Sequence, residues 1–148
     1  MSGRVKFITL TIWFFSYGGG FLHSQTTYFN TQDGLFRFTG GAGTCTRIAV
    51  NNPCGIENNY LSLAIYKDTI YYNTFAGDLK RFVLGVPGSC KTLITNGSAD
   101  NSMTVDKDGI IYFASRHLKR YDPHLNILTD LGLMPFSSAG DLIFYKDK

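Results

Sequence analysis

The chain has 148 residues, with 14 basic and 11 acidic side chains, a formal charge of +3 and 44% hydrophobic content. That length bounds it to one modest domain or a piece of a larger protein. Twelve Phe, nine Tyr and 16 Gly, with no run rich in Ala, Glu, Lys and Leu, exclude a helical bundle and point to an all-β chain. Aromatic rings pack well on a pleated surface, and glycine supplies turns that need positive φ.

The first 24 residues read as a secretory signal peptide. Arg4 and Lys6 form a short positive stretch, Phe7 to Phe15 is apolar, and Gly18-Gly19-Gly20 breaks the run before the small residue Ser24. Phe7 to Leu22 is too short for the ~20 apolar residues of a membrane span. The expected cut lies between Ser24 and Gln25, with a cut near Gly20 as the alternative, and no membrane span remains after it. Losing Arg4 and Lys6 leaves 12 basic against 11 acidic residues. So small and dispersed a charge gives no footprint for nucleic acid. No Cys lies near the junction, which argues against a lipid anchor.

The exported part carries Cys45, Cys54 and Cys90, in a compartment where disulfides form. Three cysteines cannot all pair within one chain. Cys45–Cys54 closes the shortest loop and is the expected pair. Cys45 and Cys90 open similar phrases, Cys45-Thr46-Arg47-Ile48 and Cys90-Lys91-Thr92-Leu93, as residues inherited with a repeat would.

The chain also repeats a longer phrase. Ser62-Leu63-Ala64-Ile65-Tyr66-Lys67-Asp68 returns as Ser102-Met103-Thr104-Val105-Asp106-Lys107-Asp108 and starts again at Asp141-Leu142-Ile143-Phe144-Tyr145-Lys146-Asp147, at spacings of 40 and 39 residues. Such a period belongs to stacked or radially arranged supersecondary units. Upstream, Phe29-Asn30-Thr31 parallels Tyr72-Asn73-Thr74, and Leu35-Phe36-Arg37-Phe38 parallels Leu79-Lys80-Arg81-Phe82. One full unit holds four apolar runs, 61–66, 70–74, 79–84 and 91–95, parted by Gly, Asn, Asp and Pro. The next holds 102–105, 110–114, 118–121 and 127–131. Asp68-Thr69-Ile70-Tyr71-Tyr72 aligns with Asp108-Gly109-Ile110-Ile111-Tyr112, and Leu79-Lys80-Arg81-Phe82 with Leu118-Lys119-Arg120-Tyr121.

Four antiparallel strands per ~40 residues is the blade of a β-propeller. Units of about 26–60, 61–100 and 101–140, with the start of another at 141–148, amount to three blades' worth. Closed rings usually need four to eight blades, so the expectation is an incomplete ring from a longer protein. A six-bladed ring made by a homodimer and an open sheet stack are the alternatives.

The run from Asp100 to Ala114 resembles the blade phrase of six-bladed propellers of the NHL and gluconolactonase/regucalcin-like group. The rhythm of residues 26–148 is similar to repeat regions of large exported bacterial surface proteins. The resemblance implies a propeller and, for the lactonase-like members, a central Ca²⁺ held by Glu, Asn and Asp side chains. The positions here that answer to such a set are Glu57, Asn58 and Asn59 before one first strand, and Asp100 and Asn101 before the next. Oxygen ligands of that kind suit Ca²⁺. Turn chemistry accounts for the same residues more simply, since Asn and Asp bond their own backbone in tight turns.

Nothing else in the sequence resolves into a catalytic constellation. There is no CxxC pair, and His117 and His124 lie far from the cysteines. Ser115 and His117 share one strand, with no acid placed to orient the imidazole. Repeating aromatics such as Tyr72, Phe82, Phe113 and Tyr121 read as packing first. The expectation is therefore an exported binding or display module, secreted or at the cell surface, for a protein or glycan ligand. A fragment of a Ca²⁺-dependent lactonase-like hydrolase is the alternative. Loops 51–59, 85–89 and 96–101 are the exposed regions where binding residues tend to sit.

Overall fold

The computed structural model describes residues 25–31, 34–40, 46–50, 52–54, 60–95, 97, 100–138, 142 and 144. The expected signal peptide, Cys45, Glu57, Asn58 and Asn59 lie outside the described residues. Every regular element among those described is a β-strand. They form three antiparallel sheets whose strands follow chain order. The first holds β1 (Gln25–Thr31), β2 (Gly34–Gly40) and β3 (Thr46–Ala49). The second holds β4 (Tyr60–Tyr66), β5 (Thr69–Thr74), β6 (Leu79–Val83) and β7 (Lys91–Ile94). The third holds β8 (Ser102–Val105), β9 (Ile111–Ala114), β10 (His117–Asp122) and β11 (Ile127–Leu133). None of the three closes on itself.

Alternation along the strands sends side chains to two separate cores. Ile70 and Tyr72 of β5 join Leu63, Phe82, Tyr60 and Leu35 in a cluster between the first and second sheets. Tyr71, on the opposite face of β5, joins Ala64, Leu79, Met103, Ile111 and Phe113 in a cluster between the second and third. The second sheet is thus covered on both faces, which is why burial is nearly unbroken along β5 and Ile70, Tyr71 and Tyr72 follow one another without polar alternation. Ile70, Tyr72 and Phe82 are fully buried, and burial of each such side chain stabilises the fold by about 1.5–3 kcal/mol. Exposure rises outward along each four-stranded sheet: β4 and β5 are mostly buried, whereas β7 and β11 lie largely in solvent.

The sheets meet along their first strands, with β4 against β8 and β1 against β4. Tyr66 at the end of β4 donates its hydroxyl to the Lys107 carbonyl at 3.0 Å. Its ring lies so close to Gly109 that a Cβ there would sit 3.2 Å from it. Beyond the third sheet, Phe144 packs edge-on against Tyr112 with centroids 5.1 Å apart.

One alignment drawn from the sequence slips by a residue. Ile65 pairs with Ile70, whereas Val105 pairs with Ile111, so Ile111 rather than Ile110 stands where Ile70 stands. The first hairpin turns through Lys67 and Asp68, with Lys67 at φ 54°. The second takes a longer turn, in which Asp106 Oδ1 accepts the N–H groups of Asp108 and Ile110 at 2.9 Å and Gly109 adopts φ 83°. The slip preserves the core, since a one-residue register change would turn every side chain of β9 to the other face.

Candidate ligand cleft

A concavity among the described residues lies between the first and second sheets, with a volume of about 250 Å³. One wall carries Tyr28 of β1 and Arg37 of β2, which face each other directly across the strand pair. Directly opposed residues project from the same face of a sheet, so both side chains leave the sheet toward the cleft. The other wall is apolar and comes from the end of β6 and the loop after it, through Leu84, Val86 and Pro87. Val50 and Pro53 line the cleft from the segment that follows β3. Two of the three loop regions singled out in the sequence, 51–59 and 85–89, thus contribute to one site.

Local bonding shapes both sides. Asn52 Oδ1 accepts the Cys54 N–H at 2.8 Å, an Asx turn around Pro53. Asn52 Nδ2 donates to the Tyr60 hydroxyl at 2.7 Å, tying that turn to the core. Across the cleft, the Ser89 hydroxyl bonds both Val83 and Val86 and folds the 84–89 loop back on β6. Gly85 and Gly88 take φ of 73° and 70° in that loop.

A disulfide joins the two sides. Cys54 is bonded to Cys90, with Cα atoms 5.0 Å apart, which replaces the Cys45–Cys54 pair expected from loop length. Pairing follows which Cα atoms the fold brings within reach, and loop length changes the closure cost only slowly. The bond ties the Pro53 turn to the end of the loop that carries Val86 and Pro87.

The residues considered for Ca²⁺ are not gathered into a site among those described. The Asp100 carboxylate is buried and lies 3.3 Å from Lys119 Nζ. Its main-chain carbonyl accepts the Ser62 hydroxyl at 3.0 Å. Asn101 is exposed, and its amide donates to the Ser138 carbonyl at 3.4 Å. Glu57 and Asn59 lie outside the described residues. Among the described residues no three His, Cys, Asp or Glu side chains come together as a metal group would require.

His117 does have an acid partner, contrary to the sequence reading. Its Nδ1 is 2.8 Å from Asp130 Oδ2 across the β10–β11 hairpin. Asp130 stands opposite Lys119, diagonally from His117 and beside an irregularity in the register at Leu118/Lys119, and spacing alone gave no signal of the contact. Both side chains are about half exposed, on an open strand surface. The Asp130 carboxyl is held below its usual range, chiefly by the Gly132 N–H and, after a smaller opposing effect of burial, by His117.

No family model matches the chain, and no curated protein matches it.

Proposed function

We propose that the chain is an exported β-propeller-type repeat protein that acts as a binding or display module, secreted or at the cell surface. The observation that carries this reading is the cleft between the first two sheets, walled by two loops on a rigid β scaffold and tied by a disulfide. Loops on such scaffolds are where binding residues concentrate. The disulfide fits an oxidising compartment, in keeping with the signal-like residues 1–24. Consecutive antiparallel sheets that meet along their first strands suit blades arranged about an axis. The ligand class is a protein or a glycan.

The hydrolase alternative would draw on Asp100, whose carboxylate is instead engaged by Lys119. Titration calorimetry separates the two: heat at micromolar Ca²⁺ would favour the hydrolase, whereas the binding module needs none. Export is tested by expressing the full chain with a C-terminal tag and sequencing the N-terminus of the form found outside the cell. The expected product begins at Gln25. Recovery of only uncleaved chain inside the cell would overturn the reading.

A further inference from the structure

We infer that the cleft between the first and second sheets takes an apolar carboxylate, held by Arg37 and Tyr28 at its head and by the Val86–Pro87 loop along its body. This deepens the binding-module reading and rests on it. Arg37 is exposed, and no carboxylate among the described residues pairs with it. A guanidinium offers a planar fork that matches a carboxylate in two parallel hydrogen bonds, and the neighbouring Tyr28 hydroxyl adds a further donor on the same face. The facing wall of Leu84, Val86 and Pro87 has no charged side chain, and Val86 is half exposed. A ligand there covers apolar surface at one end and neutralises a cation at the other.

Size narrows the class further. At about 250 Å³ the cleft falls below the roughly 300–1,000 Å³ of sites that enclose whole drug-sized ligands. It accommodates one branched or aromatic group with its carboxylate, as the C-terminal residue of a protein ligand presents, and a free acid of the same chemistry is the other source that the test separates. One guanidinium and one phenol also suit a monoanion better than a phosphate dianion, which would call for more donors.

The test uses the full, disulfide-intact chain and four probes followed by NMR shift perturbation: N-acetyl-leucine, its neutral amide, a pentapeptide ending in leucine, and inorganic phosphate. The two carboxylates are expected to bind at least about tenfold more tightly than the amide, as a charge-assisted pair would require, and to shift the Tyr28 and Val86 signals. Arg37→Gln, an exposed change, should erase that difference, and Arg37→Lys should keep part of it. Tighter binding of the pentapeptide than of N-acetyl-leucine identifies a peptide terminus as the source, and equal binding identifies a small acid. Equal binding of acid and amide, phosphate binding as tightly as the acid, or an undiminished preference in Arg37→Gln would each overturn the assignment. So would the absence of any shift with probe at about 10 mM, a concentration far above a millimolar Kd. The export experiment does not involve the cleft, so it reports on the binding-module reading separately.

Discussion

Ser62 and Asp100 join the second sheet to the third: the Ser62 hydroxyl donates to the Asp100 carbonyl at 3.0 Å, both residues being buried. Asn73 Nδ2 approaches the same carbonyl at 3.5 Å, while the Asp100 side chain turns to Lys119 of β10 at 3.3 Å. One residue ahead of β8 therefore bonds β4, β5 and β10 together. Ser62→Ala should cost about 1–2 kcal/mol, the loss of a buried hydrogen bond. Lys119→Met should cost about 3 kcal/mol, the low end for breaking a buried ion pair, because the lysine retains some exposure. Asp100→Asn in the Lys119→Met background should return most of that loss. Urea unfolding midpoints across the double-mutant cycle measure the coupling, and strictly additive effects would refute it.

Gly77 and Gly97 make a second tie within the second sheet. A Cβ on Gly77 would lie 2.5 Å from the Gly97 carbonyl oxygen, and Gly77 sits at φ +85°. Gly77→Ala meets both a backbone clash and a left-handed conformation, and should cost about 2–3 kcal/mol. Gly85 also has positive φ, at +73°, but nothing lies within 4 Å of its Cβ position. Gly85→Ala should therefore cost only about 1 kcal/mol. Thermal unfolding of the two variants side by side separates close approach from backbone strain.

Much of the strand pattern was legible because the runs 61–66, 70–74 and 79–84 end at Lys67-Asp68, Ala76-Gly77-Asp78 and Gly85, where the chain does turn. Residues that meet through tertiary geometry were not legible. Cys54 and Cys90 are 36 residues apart, and only the placement of the Pro53 turn over β6 brings them together. His117 reaches Asp130 diagonally across the β10–β11 pair, a contact that leaves no mark in composition. The β9 alignment slipped because Gly109-Ile110-Ile111 offers two isoleucines in succession, and turn geometry alone decides which one pairs. Arg37 and Val86 belong to different sheets, so their shared cleft exists only after folding.

Acid should weaken the third sheet through Asp122. Burial pushes its carboxyl up, but the N–H groups of Leu125 and His124 together with the Arg120 guanidinium outweigh that, and the net position lies below the ordinary carboxylate value. A carboxyl lowered by folding adds stability above the unfolded value of about 3.9, and that stability is lost as pH falls through the lower folded value. Asp130, also lowered, acts in the same direction. Melting temperature should fall as pH drops below about 4–5. Asp122→Asn should flatten that decline while leaving the trend above pH 6 as it was. An unchanged acid limb in the variant would show that Asp122 does not drive it.

The Cys54–Cys90 bond should matter both to the fold and to the cleft it spans. It closes a loop of 36-residue separation, for which constraint of the unfolded chain is worth about 3–4 kcal/mol. Cys90→Ser should lower the urea midpoint accordingly, and peptide mapping of the unsubstituted chain without reductant should recover residues 54 and 90 in one linked fragment. Because Pro53 and the Val86–Pro87 loop stand on opposite sides of the cleft, losing the bond should also release the loop from the Asx turn at Asn52. Amide hydrogen exchange in the Cys90→Ser variant should then quicken at Val86 and Ser89 by more than at Tyr72 and Phe82, which are fully buried in the core and quicken only as far as the lowered global stability dictates. Uniform acceleration across both regions would mean that the bond acts through global stability alone and does not shape the cleft.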